Sequence, residues 1–281
     1  MFGRFIQGIY WDKFWPLVDG CTPVDPTCDH CWRARYTHRF DATYHGRQHT
    51  TASGAFDGCI GMNYEVLYAP LHRKKPTVYF VLNDLFHEKV NAGFIKCAYE
   101  VMAEANEHIF IVCTKRPERI VPVLYEEEGR FYLGGGDYHS NIWHMTTAGN
   151  QDMADKRIPE LLKLRQAAPW PVLGVSIEPM LGPIYIRYLE FARYNGEEEI
   201  WNYPPRLDWV ILGGESGPGA RPMHPEWARS IRDQCQSAGV PFFFKKHGYW
   251  NERYYKGSRY DPTNTDRRLD GKEYNELPEV K

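Results

Sequence analysis

No run of about eighteen consecutive apolar residues occurs in the chain, so no membrane-spanning helix is expected. The first residues, MFGRFIQGIYWDKFWP, lack a basic start, a long apolar run and a small-residue cleavage site, so the expected location is cytoplasmic. There is no excess of one charge either: 34 Lys and Arg stand against 36 Asp and Glu, a net charge of −2. That excludes a whole-molecule field drawing the chain onto nucleic acid or membrane, and any such contact needs a local basic patch. Seven cysteines cannot all pair, which argues against a secreted disulfide framework. Four of them, Cys59, Cys97, Cys113 and Cys235, are scattered, and Cys113 in IFIVC reads as a buried small hydrophobe.

What is present is a repeated rhythm. Short apolar, β-branched runs occur at VYFVLN (78–83), IFIVCTK (109–115), IWHMTT (142–147), VLGVSIEP (172–179), WVILGGESG (209–217) and VPFFFKKHG (240–248). FIQGIYW (5–11) is the expected first strand. Continuous apolar runs suit strands buried on both faces of a parallel sheet. Between them, GFIKCAYEVMAEANE (93–107), ADKRIPELLKLRQ (154–166) and PEWARSIRDQCQSAG (225–239) carry apolar residues at helical spacing. The last closes on Gly239 as its C′ residue.

Strand then helix, repeated about six times, predicts an α/β fold: a partial (β/α)6, TIM-like barrel with loop insertions. An open doubly wound sheet is the alternative. Residues 1–250 read as the barrel, with insertions at 125–141 and 193–206. Residues 251–281 read as a polar tail, expected to be poorly ordered beyond Asp261. Either arrangement brings the strand ends to one edge. These ends are Asn83-Asp84, Thr114-Lys115-Arg116, Thr146-Thr147, Glu178, Gly213-Gly214-Glu215-Ser216 and Lys245-Lys246-His247. All of these groups except the glycines are polar or charged.

Before the first confident strand lies CTPVDPTCDHCW, with Cys21, Cys28 and Cys31 spaced C-x6-C-x2-C and no fourth cysteine close behind. Spacing alone leaves zinc and iron–sulfur open. Structural zinc wants four ligands, and His30, His38, His45, His49 or Cys59 could supply the fourth. A [4Fe–4S] cube normally takes four thiolates, so three leave one iron open to an outside ligand. A loop following a first strand would put the trio at the barrel mouth, where a structural zinc knuckle has no reason to be.

At this point the chain resembles the radical S-adenosylmethionine superfamily. The segments GCTPVDPTCDHCW, RKKPTVYFVLNDLFHE, CTKRPERI, NQDMADKRIPELL, SIEPMLGPI and GGESGPGARPMHPEWARSIRDQCQSAGVPFFFKKHG are similar to a phage and bacterial three-cysteine-motif family of that superfamily, one with no assigned function. The likeness runs from about residue 18 to residue 250. It implies a barrel of the radical S-adenosylmethionine type, a [4Fe–4S] cluster on Cys21, Cys28 and Cys31, and S-adenosylmethionine as cofactor. The chain also departs from the superfamily pattern. Its first gap is six residues rather than three, and His30 stands where an aromatic usually precedes the third cysteine. Asn83-Asp84 stands in place of the usual Gly-Gly-Glu, and a Gly-Gly-Glu appears later, at 213–215.

On that reading Asp84 would pair with the methionine ammonium, and Lys115 or Arg116 would hold its carboxylate. Thr147, Asn150 and Glu178 would bond ribose, and Gly213 and Gly214 would pack close to adenine. His30, Asn83, Glu215 and Ser216 complete the cofactor-binding set, and Glu178, Glu215 and Lys245 are the candidate catalytic groups. Each has a simpler reading. Asp84 could be a helix N-cap, Arg116 a loop cap, Glu215 and Ser216 turn formers, and His87 and His224 surface or helix-start residues.

For a substrate, basic patches occur at HRKK (72–75), KRPER (115–119) and KKH (245–247), and YWNERYYKGSRY (249–260) interleaves Arg253, Lys256 and Arg259 with aromatics. Cations alternating with rings suit backbone contact plus base stacking. Together with a phage-type family this points to a DNA base or nucleotide, with isomerisation of an amino-bearing, hypermodified thymine as one specific case. An external electron donor is implied, and a monomer is expected. The alternatives are a radical enzyme acting on a small molecule or peptide, and a metal-stapled nucleic-acid-binding protein without catalysis.

Overall fold

Six of the apolar runs form strands of one parallel sheet in the computed structural model, which describes residues 9–40, 49–125, 139–167, 172–189, 206–249 and 266–279. They are β4 (Val78–Val81), β5 (Ile109–Thr114), β6 (Ile142–Thr147), β7 (Leu173–Ile177), β8 (Trp209–Gly213) and β9 (Phe242–Lys246). A short β1 (Lys13–Trp15) pairs with β4, and β2 (Val18–Asp19) pairs antiparallel with β3 (Gly61–Met62). The order is β1-β4-β5-β6-β7-β8-β9, curled as a half-barrel. Each strand is added beside the previous one and the order never reverses. A doubly wound sheet would reverse at a switch point.

Among the described residues the sheet has seven parallel strands, and the first of them is Lys13–Trp15, just after the expected FIQGIYW, of which residues 5–8 lie outside the described residues. Tyr10 turns its ring inward onto Trp209 and Phe243, both 5.5 Å away between centroids. Pairing with β4 starts only at Asp12, whose N–H donates to Val78 O at 2.8 Å.

Side chains alternate across each strand, which builds two cores. Val78, Ile109, Ile111, Trp143, Met145, Trp209, Ile211 and Phe243 fill the inner face of the curl. Val81, Phe110, Val112, Leu173, Val175, Val210, Leu212, Phe242 and Phe244 face the helices. Each such fully buried side chain stabilises the fold by about 1.5–3 kcal/mol.

The helices are α1 (Trp32–Phe40), α2 (Ala92–Glu104), α3 (Ile120–Leu124), α4 (Gln151–Leu162), α5 (Leu164–Ala167) and α6 (Pro225–Ala238). Asn91, Asn150 and His224 cap α2, α4 and α6. Gly239 ends α6 in the left-handed conformation, φ 64°. Among the described residues no helix is long and apolar enough to cross a membrane.

The tail departs from expectation. Residues 268–273 form a hairpin, β10 (Arg268–Leu269) with β11 (Lys272–Glu273), turned by Asp270 and Gly271 at φ 52° and 78°. An Asp-Gly pair is a hairpin signal. Leu269 is wholly buried, and Tyr274 packs on Phe242 at 5.6 Å. Buried apolar side chains hold this part of the tail in place. The basic aromatic stretch with Arg253, Lys256 and Arg259, and most of both expected insertions, lie outside the described residues.

Candidate active site

The cysteine loop follows β2 and passes over the carboxyl ends of the strands. Asp25 anchors it. Its carboxylate accepts from the Thr27 N–H at 2.7 Å, capping the 3-10 helix Pro26–Cys28. It also accepts from Arg157 Nη2 of α4 at 2.6 Å and lies 3.4 Å from Lys115 Nζ, just past β5. Arg157 Nη1 donates to Thr147 O, at the end of β6, at 2.9 Å. One acid inside the six-residue gap thus ties the loop to two strand ends. Burial would raise the Asp25 pKa, but Lys115, Thr27 and Arg157 outweigh burial and hold it at about 2. Neither Asp25 nor Arg157 is among the residues expected from sequence. The Asp-Pro pair is a helix-start signal that could find Asp25.

Of the three thiols, Cys28 lies beside Lys115, whose Nζ donates to its Sγ at 3.1 Å. Burial would lower the Lys115 pKa; the charges of Cys28, Asp25 and Cys31 raise it. Burial, then the charge of Asp84, push Cys21 up to about 12; Arg116 opposes, and Cys28 and Cys31 add to the rise. Cys21 therefore lies within electrostatic reach of both other thiols. All seven cysteines are free.

A second anchor comes from the late Gly-Gly-Glu. Glu215 Oε2 accepts from Arg221 Nε at 2.9 Å and Oε1 accepts from Nη2 at 2.7 Å, while His30 Nδ1 lies 3.1 Å from Oε2. Arg221 Nη2 also donates to Pro26 O at 2.8 Å, inside the cysteine loop. The turn is tight because Gly214 lies against β9. A Cβ there would sit 1.9 Å from His247 O, so only glycine fits. Arg221 carries no sequence signal of this role, since its partner in the loop is 195 residues away.

Beneath the loop, alternation on β5 to β9 puts polar groups on the inner face above its apolar layer. Thr147 pairs in register with Ser176, and Cys113 Sγ lies 3.5 Å from Thr147 Oγ1. Burial pushes the Cys113 thiol up to about 11. Glu178 is the centre of this layer. Its Oε2 accepts from the Tyr10 hydroxyl at 3.0 Å and the Ser176 hydroxyl at 3.2 Å, and its Oε1 lies 2.8 Å from Lys245 Nζ. Lys245 Nζ also sits over the Trp11 and Tyr10 rings, 5.2 and 5.7 Å from their centroids. Burial, then the charge of Glu178, keep Tyr10 a neutral phenol. Tyr10 is a further site residue that no sequence motif marks.

The other expected residues fall into two groups. Several are used by the protein itself. Asp84 accepts from Arg116 Nη1 at 2.9 Å, the Thr114 hydroxyl at 2.6 Å and the Phe86 N–H at 3.1 Å. Arg116 Nε lies 2.6 Å from Glu88 Oε2 as well. This buried pair saturates itself, and Asp84 is not the cap of α2. Asn83, at φ 63°, donates to Val18 O at 2.6 Å and accepts from Arg33 Nε at 3.2 Å. The Asn150 Oδ1 accepts from the Met153 N–H at 3.0 Å as the cap of α4. His87 is fully buried, not a surface residue, and its Nε2 lies 2.8 Å from Thr22 Oγ1.

Others keep open valence. Ser216 Oγ is shut off from solvent with no hydrogen-bond partner among the described residues, and so is Arg35 Nη1 on α1. Arg35 Nη1 lies at the turn that follows Ser216, where a Cβ on Gly217 would lie 2.5 Å from it. Orphaned buried donors of this kind call for a partner, an ordered water or a ligand.

A family model described as "Protein of unknown function (DUF5131)" matches residues 7–278. No curated protein and no solved structure matches the chain.

Proposed function

We propose that this chain, which belongs to the DUF5131 family, is a radical S-adenosylmethionine enzyme with a [4Fe–4S] cluster on Cys21, Cys28 and Cys31. One observation carries the reading: three free thiols on one loop, with Cys28 and Cys31 both in electrostatic reach of Cys21, held over the carboxyl ends of a curled parallel sheet, next to a polar inner face. The donor set fits the group, because soft thiolates without a fourth cysteine suit a cube with one open iron. When bound, the reduced cluster supplies the electron that splits S-adenosylmethionine to a 5′-deoxyadenosyl radical.

The chain's own groups do the rest. Lys115 offsets thiolate charge at Cys28. Asp25 and Glu215 hold the loop in place. Ser216 and Arg35 offer unused donors to the amino acid end of the cofactor. Thr147, Ser176 and Glu178 line the inner face, where the remaining cofactor and the substrate would lie. Glu178 and Lys245 form the proton-exchanging pair. Free thiols throughout support a cytoplasmic location.

The substrate reading is a DNA base or nucleotide bearing an amino group, with isomerisation as the reaction. It is supported by a cleft lined by Lys13, Phe14, His72, Arg73, Lys74, Lys75 and Tyr79 beside the sheet's β1 edge, which would take a phosphate backbone. Trp32 and Tyr36, about half exposed, offer stacking surfaces on α1.

Anaerobic purification tests the proposal. The expected result is a brown protein with about four irons and four sulfides per chain, yielding 5′-deoxyadenosine on reduction with S-adenosylmethionine. Zinc at the trio, with no iron after reconstitution, would overturn it. Comparing host or phage DNA nucleosides with and without the gene identifies the substrate.

A further inference from the structure

A second metal-ligating group lies outside the proposed cluster. The donor atoms of His49, Asp57 and Cys59 all lie within 4.8 Å of one another. A tight hairpin sets them. The Asp57 N–H donates to His49 O at 3.0 Å, the Thr51 N–H donates to Ala55 O at 2.7 Å, and Thr50 bridges Phe56. Asp57 Oδ1 then accepts from the Cys59 N–H at 2.7 Å, which turns the cysteine back toward the histidine.

Geometry of this kind is common in loops, and the imidazole supplies the decisive observation. Both ring nitrogens of His49 are shut off from solvent, and neither has a hydrogen-bond partner among the described residues. One nitrogen of a neutral imidazole is a donor and the other an acceptor, so leaving both unmet is costly. A cation bonded to one of them relieves the acceptor. The neighbouring carboxylate and thiol are the other donors such a cation needs.

We propose that His49, Asp57 and Cys59 bind a thiophilic divalent cation of the zinc class, as a centre separate from the cluster. One imidazole nitrogen, one carboxylate oxygen and one thiolate are a borderline-soft set that suits zinc, with water at the fourth position. Around a tetrahedral zinc such donors stand about 3.3–3.8 Å apart, so small side-chain rotations close the site. The Cys59 thiol gives up its proton on binding.

The site has a structural consequence. A Cβ on Gly20, φ 78°, would lie 2.0 Å from Cys59 O and 3.3 Å from His49 Cβ. The segment carrying the metal ligands is thus pressed against the residue just before Cys21. A cation there would pin the start of the cysteine loop, in addition to the holds that Asp25 and Glu215 provide. The inference stands on its own, whether or not the trio holds iron.

The test uses the full chain, stripped with chelator and titrated with Zn2+, then with Co2+ as a coloured probe, in wild type, His49→Ala, Asp57→Asn, Cys59→Ser and Cys28→Ala. Circular dichroism confirms that each variant is folded. The expected result is about one zinc per chain in wild type and Cys28→Ala, with thiolate-to-cobalt absorption. Affinity should fall more than tenfold in His49→Ala and Cys59→Ser, with iron content unchanged. Equal zinc affinity in wild type and Cys59→Ser overturns the proposal. So does loss of zinc in Cys28→Ala, which would place the metal on the trio, and so does loss of iron in Cys59→Ser, which would make Cys59 a cluster ligand. If His49→Ala fails to fold, Asp57→Asn, altered at an exposed position, carries the same comparison.

Discussion

Arg221 grips both carboxylate oxygens of Glu215, at 2.9 and 2.7 Å, and with the same guanidinium reaches Pro26 O in the cysteine loop. The late Gly-Gly-Glu is thereby a fastening for the loop. Burial would raise the Glu215 pKa, but Arg221 and His30 outweigh it and lower it. The pair's contribution is therefore present above the ordinary glutamate range and is lost as pH falls through the lowered value. Glu215→Gln should lower stability by about 1–2 kcal/mol, since Arg221 is partly exposed. It should also make iron retention labile. Urea unfolding and iron content read the two effects, and an unchanged pair of values would mean that the loop is held elsewhere.

Asp25 makes the corresponding prediction for the other anchor. Its carboxyl falls from 3.8 to about 2 on folding, so its stabilisation is complete above about pH 4 and disappears toward pH 2. Asp25→Asn should remove about 1–2 kcal/mol at pH 7. It should also flatten the acid limb of the stability profile. A variant that keeps the wild-type acid slope would show that Asp25 is not the titrating group.

The cysteines divide by position. Cys28→Ala should abolish iron retention, because Cys28 belongs to the trio beside Lys115. Cys113→Ala should retain iron, because that thiol sits below, against Thr147. Iron and sulfide analysis of the two variants decides the matter, and equal loss in both would disprove the assignment.

Glu178 separates chemistry from assembly. Its hydrogen-bond and ion-pair partners among the described residues are Tyr10, Ser176 and Lys245, none of them in the cysteine loop. Glu178→Gln should keep full iron content and lower product formation by about a hundredfold. Turnover at the wild-type rate would remove Glu178 from the catalytic set.

For the basic cleft, replacing Lys74 and Lys75 with Glu should weaken DNA binding and reduce the salt slope by about 0.9 for each phosphate no longer neutralised. Fluorescence anisotropy at two or three salt concentrations measures this, and an unaltered slope would place the DNA elsewhere.

Much of the fold was legible because it is local. Apolar runs such as IFIVC and WVILG announce strands, the 3.6-residue spacing of PEWARSIRDQCQSAG announces α6, and Gly239 announces its end. Convergence of Lys115, Thr147, Glu178 and Lys245 at one edge followed from the parallel βα order alone. The order of the tail was not legible, because its polar composition hides two residues, Leu269 and Tyr274, that fill a groove no local pattern reveals.

By itself, then, the sequence determined a parallel α/β scaffold, the edge at which chemistry would gather, and three cysteines without a fourth. Only the tertiary structure decided how those groups are used. It committed Asp84 to Arg116 and Asn150 to a helix end, made Asp25 and Glu215 the fastenings of the loop, and brought His49, Asp57 and Cys59 together. The reason is physical: periodicity is written into neighbouring residues. The hydrogen bonds that hold this loop join partners as far as 195 positions apart, and they exist only once the sheet has curled.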